Sequence, residues 1–331
     1  MTWLRSLSGY QRLGLAMVLG LLALITLGGT VRVTDSGLAC PDWPLCNGEL
    51  FPGGDYHIWI EWTHRLVASV MGFVIVAFVI GAVLKHRQRR WVVLPALLGI
   101  VALGVQVVLG GLTVTEELPA EIVSAHLGTA LIIVLLMLAA WLATFVPAAA
   151  PRPAAATGRR ERRFAAATVV AALGLLALMV LGSYVSGSNA GFFCDGDWPL
   201  CNGSLLPQSG LANVQVAHRY LAAFEGLLLI ALWVLAFQLR PAGTGRFRLA
   251  TLVAALFGVQ VALGAAMMGT GLADWTRIAH LAVAATTWAA MVTLTVLALH
   301  RAGWLLPAQE GASVATGMSW RFHLRGTQSS D

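Results

Sequence analysis

Four of the eight histidines form two pairs with the same spacing. His64 and His126 are 62 residues apart, and His218 and His280, in the second half of the chain, are also 62 residues apart. All four lie in apolar stretches, where an ionisable side chain is costly and usually functional. Paired imidazoles that project inward from facing helices commonly hold heme iron. The spacing therefore predicts two heme sites, one in each half.

Two other interpretations of these histidines stay open. Each imidazole could serve only as a hydrogen-bonding group at a helix start, although four repeat-related positions favour iron ligation. A zinc site is disfavoured, because zinc normally takes four ligands in a compact cluster. The other histidines break the repeat and are expected to be solvated: His57, His86, His300 and His323.

Glu61 distinguishes the two halves. It precedes His64 by three residues, so on a helix the carboxylate and the imidazole share a face one turn apart. The equivalent residue is Gln215, which keeps the shape and removes the charge. A carboxylate can accept protons or stabilise positive charge, so the first half is predicted to be the reaction site and the second an electron-holding site. The alternative is that Glu61 only caps a helix N-terminus.

Other residues on these stretches are less informative. Arg65 and Arg219 each follow a ligand candidate, and either pair with a heme propionate or extend to the membrane interface. Glu225, two turns from His218, is expected to be protonated or paired, and the sequence assigns it no role. Several glycines would let a neighbouring helix or a flat macrocycle approach, and helix packing is the favoured explanation for most of them: Gly104, Gly110, Gly111, Gly258 and Gly264.

The composition predicts a membrane protein. Of 331 residues, 58% are hydrophobic and 11% are charged, whereas soluble domains are about 25% charged. A membrane-spanning helix needs about 20 mostly apolar residues. We predict an all-α integral membrane protein with eight transmembrane helices, near residues 13–33, 61–84, 91–113, 122–146, 164–186, 214–239, 248–269 and 277–299.

The charge distribution predicts topology rather than a nucleic-acid partner. Of the 21 Lys and Arg, 17 lie near the N-terminus, in residues 85–90, 151–163 and 240–248, and from residue 301 onward. By the positive-inside rule these segments are cytoplasmic. The alternate loops hold most of the acids and face outward. Both termini are therefore predicted to be cytoplasmic.

An internal repeat relates the halves at an offset of 154 residues. GVQVVLGG at 104–111 aligns with GVQVALGA at 258–265, and the long loops at 27–52 and 181–207 align with one extra residue in the second. Each copy has four helices, so the copies enter the membrane in the same direction. The prediction is two tandem parallel four-helix bundles, with an N-terminal unit at 1–147, a linker at 148–163, a C-terminal unit at 164–303 and a disordered tail at 304–331.

All four cysteines lie in the two long outer loops. The repeat favours pairing Cys40 with Cys46 and Cys194 with Cys201 among the three possible connectivities. An oxidising exterior favours disulfides. In the structural interpretation, the disulfides brace loops that cover the sites beneath them. In the functional interpretation, the cysteines are a redox couple that exchanges electrons with the heme, although the CxxC spacing of redox pairs is absent.

Taken together, these motifs resemble the heme A synthase family over residues 10–300. The motifs are EWTHR at 61–65, AHLG at 125–128, VAHRY at 216–220, IAHLA at 278–282 and CPDWPLCNG at 40–48. The resemblance implies an oxidoreductase that converts a ring methyl of heme O to a formyl, through a hydroxymethyl intermediate, for cytochrome c oxidase assembly. Water is a proposed source of the oxygen.

The resemblance also implies roles for individual residues. His64 and His126 would accept substrate heme O, His218 and His280 would retain heme b, and Glu61 would be the catalytic carboxylate. The implied partners are heme O synthase, an electron acceptor and the lipid bilayer of the plasma membrane, with no nucleic acid. Many family members have one cysteine pair or none, which favours a stabilising role for at least the second pair here.

Three other functions remain as alternatives. A diheme membrane cytochrome that only relays electrons would need two permanent hemes and no Glu61. A thiol-disulfide oxidoreductase working through the loop cysteines would leave the histidines unexplained. A parallel-repeat transporter would be expected to have interrupted helices.

Overall fold

The computed structural model describes residues 5–145, 155–194, 196–207, 210–240 and 244–304. In these ranges the chain is helical, with eight helices long and apolar enough to cross a membrane, as predicted. The helices are α1 Gly9–Val33, α2 Tyr56–His86, α3 Arg90–Thr115, α4 Ala120–Ala143, α5 Ala155–Gly187, α6 Gly210–Gln238, α7 Thr244–Gly269 and α8 Asp274–Arg301. A short 3₁₀ helix, Ala190–Cys194, lies in the second outer loop.

Most helices begin several residues before the predicted apolar stretches. The largest difference is in α5, which begins at Ala155, so residues 155–163 of the predicted linker are helical. Hydropathy misses this segment because it is polar, but Ala, Arg and Glu are strong helix formers. The start of the linker and the predicted tail after residue 304 lie outside the described residues.

Within each half the four helices contact one another in a ring. In the first half α1 contacts α2 and α4, and α3 contacts α2 and α4. In the second half α5 contacts α6 and α8, and α7 contacts α6 and α8. The histidine-bearing helices of each half, α2 with α4 and α6 with α8, are therefore diagonal partners. Side chains from diagonal helices can meet in the interior of a ring.

The two halves meet along a seam formed by α1, α4, α5 and α8. At its centre the Trp288 indole N–H of α8 donates to the Leu131 carbonyl of α4, at 2.9 Å. At one end the Arg32 guanidinium donates to the Ser186 carbonyl of α5, at 3.2 Å. The indole of Trp288 is fully buried. Polar contacts as well as packing therefore fix one half against the other.

A buried ion pair joins α5 to α7 at the end of the second half away from the disulfide loops. Arg246 pairs with Glu161, and both side chains are almost completely buried. Arg246 also donates to the Leu239 carbonyl at 3.2 Å. At the 154-residue offset the first half has two buried apolar residues, Leu7 and Val92. The same position therefore holds an ion pair in one half and apolar side chains in the other.

Replacing Glu161 with Leu should lower the stability of the protein by about 3–5 kcal/mol, because Arg246 would remain buried without its partner. The double variant Glu161→Leu/Arg246→Val has the residues of the first half and should recover most of that loss. Thermal unfolding in detergent would measure both, with the exposed Arg160→Ala as a control that changes little. A double variant as unstable as the single one would contradict this account.

Candidate heme-binding site

The structure places the four candidate histidines two turns inside their helices. His64 and His218 are the ninth residues of α2 and α6, and His126 and His280 are the seventh residues of α4 and α8. At 1.5 Å per residue, each lies about 9–12 Å from its helix start. Because α2, α4, α6 and α8 all begin at the side of the disulfide loops, the imidazoles share one depth range. Each imidazole therefore lies inside its long apolar helix rather than at the helix end.

Each of these imidazoles packs against a glycine of the preceding helix. His64 faces Gly28 of α1, and His218 faces Gly182, its equivalent on α5. A Cβ at these glycines would lie 3.1 Å and 2.9 Å from the ring Cε1. The other two pairs are Gly110 with His126, where that distance is 3.2 Å, and Gly264 with His280, where it is 3.5 Å. Because glycine has no side chain, each of these positions leaves room for the facing imidazole ring.

The ring nitrogens of the imidazoles make few hydrogen bonds with the protein. The Nδ1 atoms of all four rings are buried and make no hydrogen bond of normal geometry with the described residues. For three of the rings a backbone group lies near enough to interact electrostatically. Within each half the two imidazoles are close enough to influence each other electrostatically. The Nε2 of His126 is 3.2 Å from the Gln106 amide nitrogen. The two rings of each half therefore form a pair whose nitrogens the protein engages only in part.

Pairs of histidines fit heme better than a bare metal ion. In the described ranges no group of three or more His, Cys, Asp or Glu is arranged to hold a metal. A porphyrin supplies four nitrogen ligands itself and needs only axial ligands from the protein. Two imidazoles, seated on glycines within apolar helices, meet that requirement. The zinc alternative receives no support from this arrangement.

Glu61 lies in a dense hydrogen-bond network beneath the first outer loop. Its side chain is 3% exposed. One carboxylate oxygen pairs with Arg65 at 2.5 Å, and the other accepts the Cys40 N–H at 2.8 Å. The helix-capping alternative does not hold, because the N-cap of α2 is Asp55, six residues earlier. Glu61 is thus an acid held by two partners, one turn from His64.

Gln215 occupies the same place in the second half without this network. Its side chain is 6% exposed, and its amide nitrogen is 3.9 Å from the Met268 sulfur. Its side-chain carbonyl oxygen is buried and has no hydrogen-bond partner among the residues that the structure describes. The neighbouring Arg219 contacts the same sulfur at 3.4 Å. The two halves therefore match in their histidines and differ in the group beside them.

Arg65 and Arg219 both bind the outer loop above them, a use that the sequence analysis missed. Arg65 donates to the carbonyls of Asp42 and Leu45, and to that of Cys40 at 3.0 Å. Arg219 donates to the equivalent Leu200 carbonyl and to the Pro199 carbonyl. Contact with a heme propionate stays a prediction. The arginines connect each histidine helix to its loop.

The two outer loops have similar structures, and each is closed by the predicted disulfide. Cys40 is bonded to Cys46, and Cys194 to Cys201, and the described residues contain no free cysteine. In the first loop the Asp42 carboxylate accepts the N–H groups of Gly48 and Asn47. These hydrogen bonds, that of Gly48 foremost, hold the pKa of Asp42 below its usual value. The loops are ordered covers above the histidines.

The fold and the site define a polytopic helical membrane protein with a duplicated histidine-pair site, one copy of which has an acid beside it. A family model described as cytochrome oxidase assembly protein, COX15-CtaA, matches residues 11–292. The chain belongs to this family.

Individual relatives align along most of their length. A heme A synthase of Erythrobacter litoralis is 30% identical over 323 residues, covering 81% of this chain and 92% of the relative. A heme A synthase of Symbiobacterium thermophilum is 29% identical, covering 87% of this chain and 95% of the relative. A heme A synthase of an Exiguobacterium species is also 29% identical, covering 80% and 85%.

Proposed function

We propose that this protein is a heme A synthase that oxidises a ring methyl of heme O to a formyl group, through a hydroxymethyl intermediate. The single observation that carries the proposal is the asymmetry between the halves. Both have a partly buried histidine pair that packs against glycines, but only the first has a carboxylate, Glu61, where the second has Gln215. Its membership of the family and the names of its relatives agree with this chemistry.

In this proposal the halves have different ligands. His64 and His126 of the first half bind substrate heme O, and His218 and His280 of the second half hold heme b. The bound heme b would supply a one-electron redox centre. The second half has the amide Gln215 at the position of Glu61. It therefore has no acid at the site where no substrate is to be converted. The electron acceptor beyond the second half is a further partner implied by the reaction.

Glu61 is proposed to accept protons that the reaction releases. Converting a methyl and a water to a formyl releases protons and electrons in equal number. A buried carboxylate near the reacting carbon can accept protons or stabilise positive charge that develops there. Arg65 and the Cys40 N–H hold this carboxylate in one position. The loop above it would limit the access of bulk water.

We further propose that the protein lies in the plasma membrane with both termini in the cytoplasm. The Lys and Arg residues cluster in the N-terminal, linker and interhelix segments opposite the disulfide loops. Disulfides form in an oxidising compartment, which agrees with loops on the outer side.

Expression in a host that makes heme O but not heme A tests the function. Extraction should yield a formyl heme from cells with the wild-type protein and none from cells without it. The purified His218→Ala variant should lose its tightly bound b-type heme, because one of the two imidazoles that would hold it is gone. His323, which has no counterpart in the repeat, provides a matched control, and His323→Ala should keep the heme. Two retained b-type hemes without any formyl product would instead support an electron relay.

A further inference from the structure

Glu225 is a buried acid that the proposed function leaves unused. It lies at the middle of α6 and is 0% exposed. Neither of its carboxylate oxygens has a hydrogen-bond partner in the described part of the chain. An unpaired carboxylate in apolar surroundings is costly when ionised, and a neutral one still lacks an acceptor for its O–H. The fold therefore gains no stability from an acid at this position.

The first half fills the equivalent place with an uncharged side chain. Met71 of α2 aligns with Glu225 at the 154-residue offset, and its thioether lies against Gly20 of α1. In the second half the Glu225 carboxylate lies against Gly174, the equivalent of Gly20. A Cβ at either glycine would overlap the facing side chain. Both halves build the same niche, and only the second places an ionisable group in it.

Glu225 shares a helix face with His218. The two residues are seven positions apart, which is two helical turns and about 10 Å along the axis. Glu225 thus lies in the interior of the second half, on the side of His218 away from the disulfide loop. The ionisable groups on α5 and α7, the helices packed against α6, lie towards the helix ends: Arg159, Arg160, Glu161, Arg162, Arg163, Tyr184, Arg246 and Arg248. On α6 itself His218 is the ionisable residue that shares a face with Glu225, and none follows Glu225 before the helix ends at Gln238.

We propose that Glu225 is a proton-binding site coupled to the electron held in the second half. The inference rests on the proposed function, since it needs a redox group at His218 and His280. When that group gains one electron, the Glu225 carboxylate takes up one proton and becomes a neutral acid. When the electron leaves, the proton leaves with it. An oxidised, more positive site stabilises the carboxylate across a low-dielectric interior, and reduction removes that stabilisation.

Potentiometric titration of the purified, heme-loaded protein at a series of pH values tests the coupling. In the wild type the midpoint potential of the second-half heme should fall as pH rises. In Glu225→Gln it should become independent of pH, because the exchangeable proton is gone. Glu225→Met, which installs the residue of the first half, should behave in the same way. The exposed Glu116→Gln is the matched control and should keep the wild-type slope.

Infrared difference spectra between the oxidised and reduced wild type provide a second measurement. A carboxylic acid C=O band should appear on reduction and be absent in Glu225→Gln. A wild-type slope in either heme-loaded variant would overturn the proposal, as would a wild-type difference spectrum without a carboxylic acid band. These measurements do not depend on formation of heme A. A wild type that binds no b-type heme would refute the proposed function itself, and the coupling with it.

Discussion

Glu61→Gln should abolish formation of heme A while leaving heme O bound. Proton transfer by a positioned acid or base contributes about 10²–10⁴-fold to rate, so the product should fall by at least about 100-fold. The amide is a suitable replacement because the second half already accommodates Gln215 at this position. Pigment extraction and separation from cells that supply heme O would measure the ratio of formyl heme to heme O.

Two further variants separate chemistry from folding at this position. Glu61→Asp keeps the charge but shortens the reach to Arg65 and the Cys40 N–H, so it should keep part of the conversion. The exposed Glu116→Gln removes an acid of the same half outside the site and should change nothing. If Glu61→Gln made heme A at the wild-type rate, the assignment of the first half as the reaction site would be wrong.

Gly182→Ala should lower the heme b affinity of the second half by about 10- to 100-fold, the usual cost of disturbing a group that orients a metal ligand. A Cβ at Gly182 would lie 2.9 Å from the His218 ring, closer than real Cβ atoms approach their neighbours. The ring must shift, and its nitrogen moves with it. The electron paramagnetic resonance signal of the ferric heme should change along with heme content, because it reports the orientation of the imidazoles that would hold the iron.

Alanine substitutions at the four glycines that face the histidines should weaken heme binding to different degrees. Gly264→Ala should have a much smaller effect on the same heme, because its Cβ would be in ordinary contact with His280 at 3.5 Å. In the first half Gly28→Ala and Gly110→Ala should be intermediate in their effect on heme O binding, with distances of 3.1 Å and 3.2 Å. Gly258→Ala, with nothing within 4 Å, is the control. Equal losses of heme affinity in Gly264→Ala and Gly182→Ala would contradict the idea that these glycines position the histidine rings.

The features predicted from the sequence are those that a membrane environment constrains most strongly. Lipid cannot satisfy polar groups, so the eight spans and the rare histidines within them stand out against an apolar background. The repeat narrowed the disulfide connectivity to the one that the structure shows. Roles for the histidines and for Glu61 stay predictions, since they depend on a bound heme.

Features that depend on contacts between distant segments were not predicted. Arg65 and Arg219 reach loop carbonyls some 20 residues earlier in the chain, and no local pattern encodes that contact. Gly28 and Gly182 were also missed, although the 154-residue offset aligns them. Their pairing with histidines becomes visible only when neighbouring helices are placed side by side.

The burial of α8 bears on how the protein is made. This helix is the least apolar of the eight, and 61% of its apolar 18-residue stretch is buried, against at most 39% in any other. A nascent segment with weak affinity for lipid gains more from docking onto its neighbours than from partitioning alone. The ribosome delivers it after the other seven, when the groove that receives it already exists. Biogenesis of the second histidine pair would thus be completed only at this last insertion.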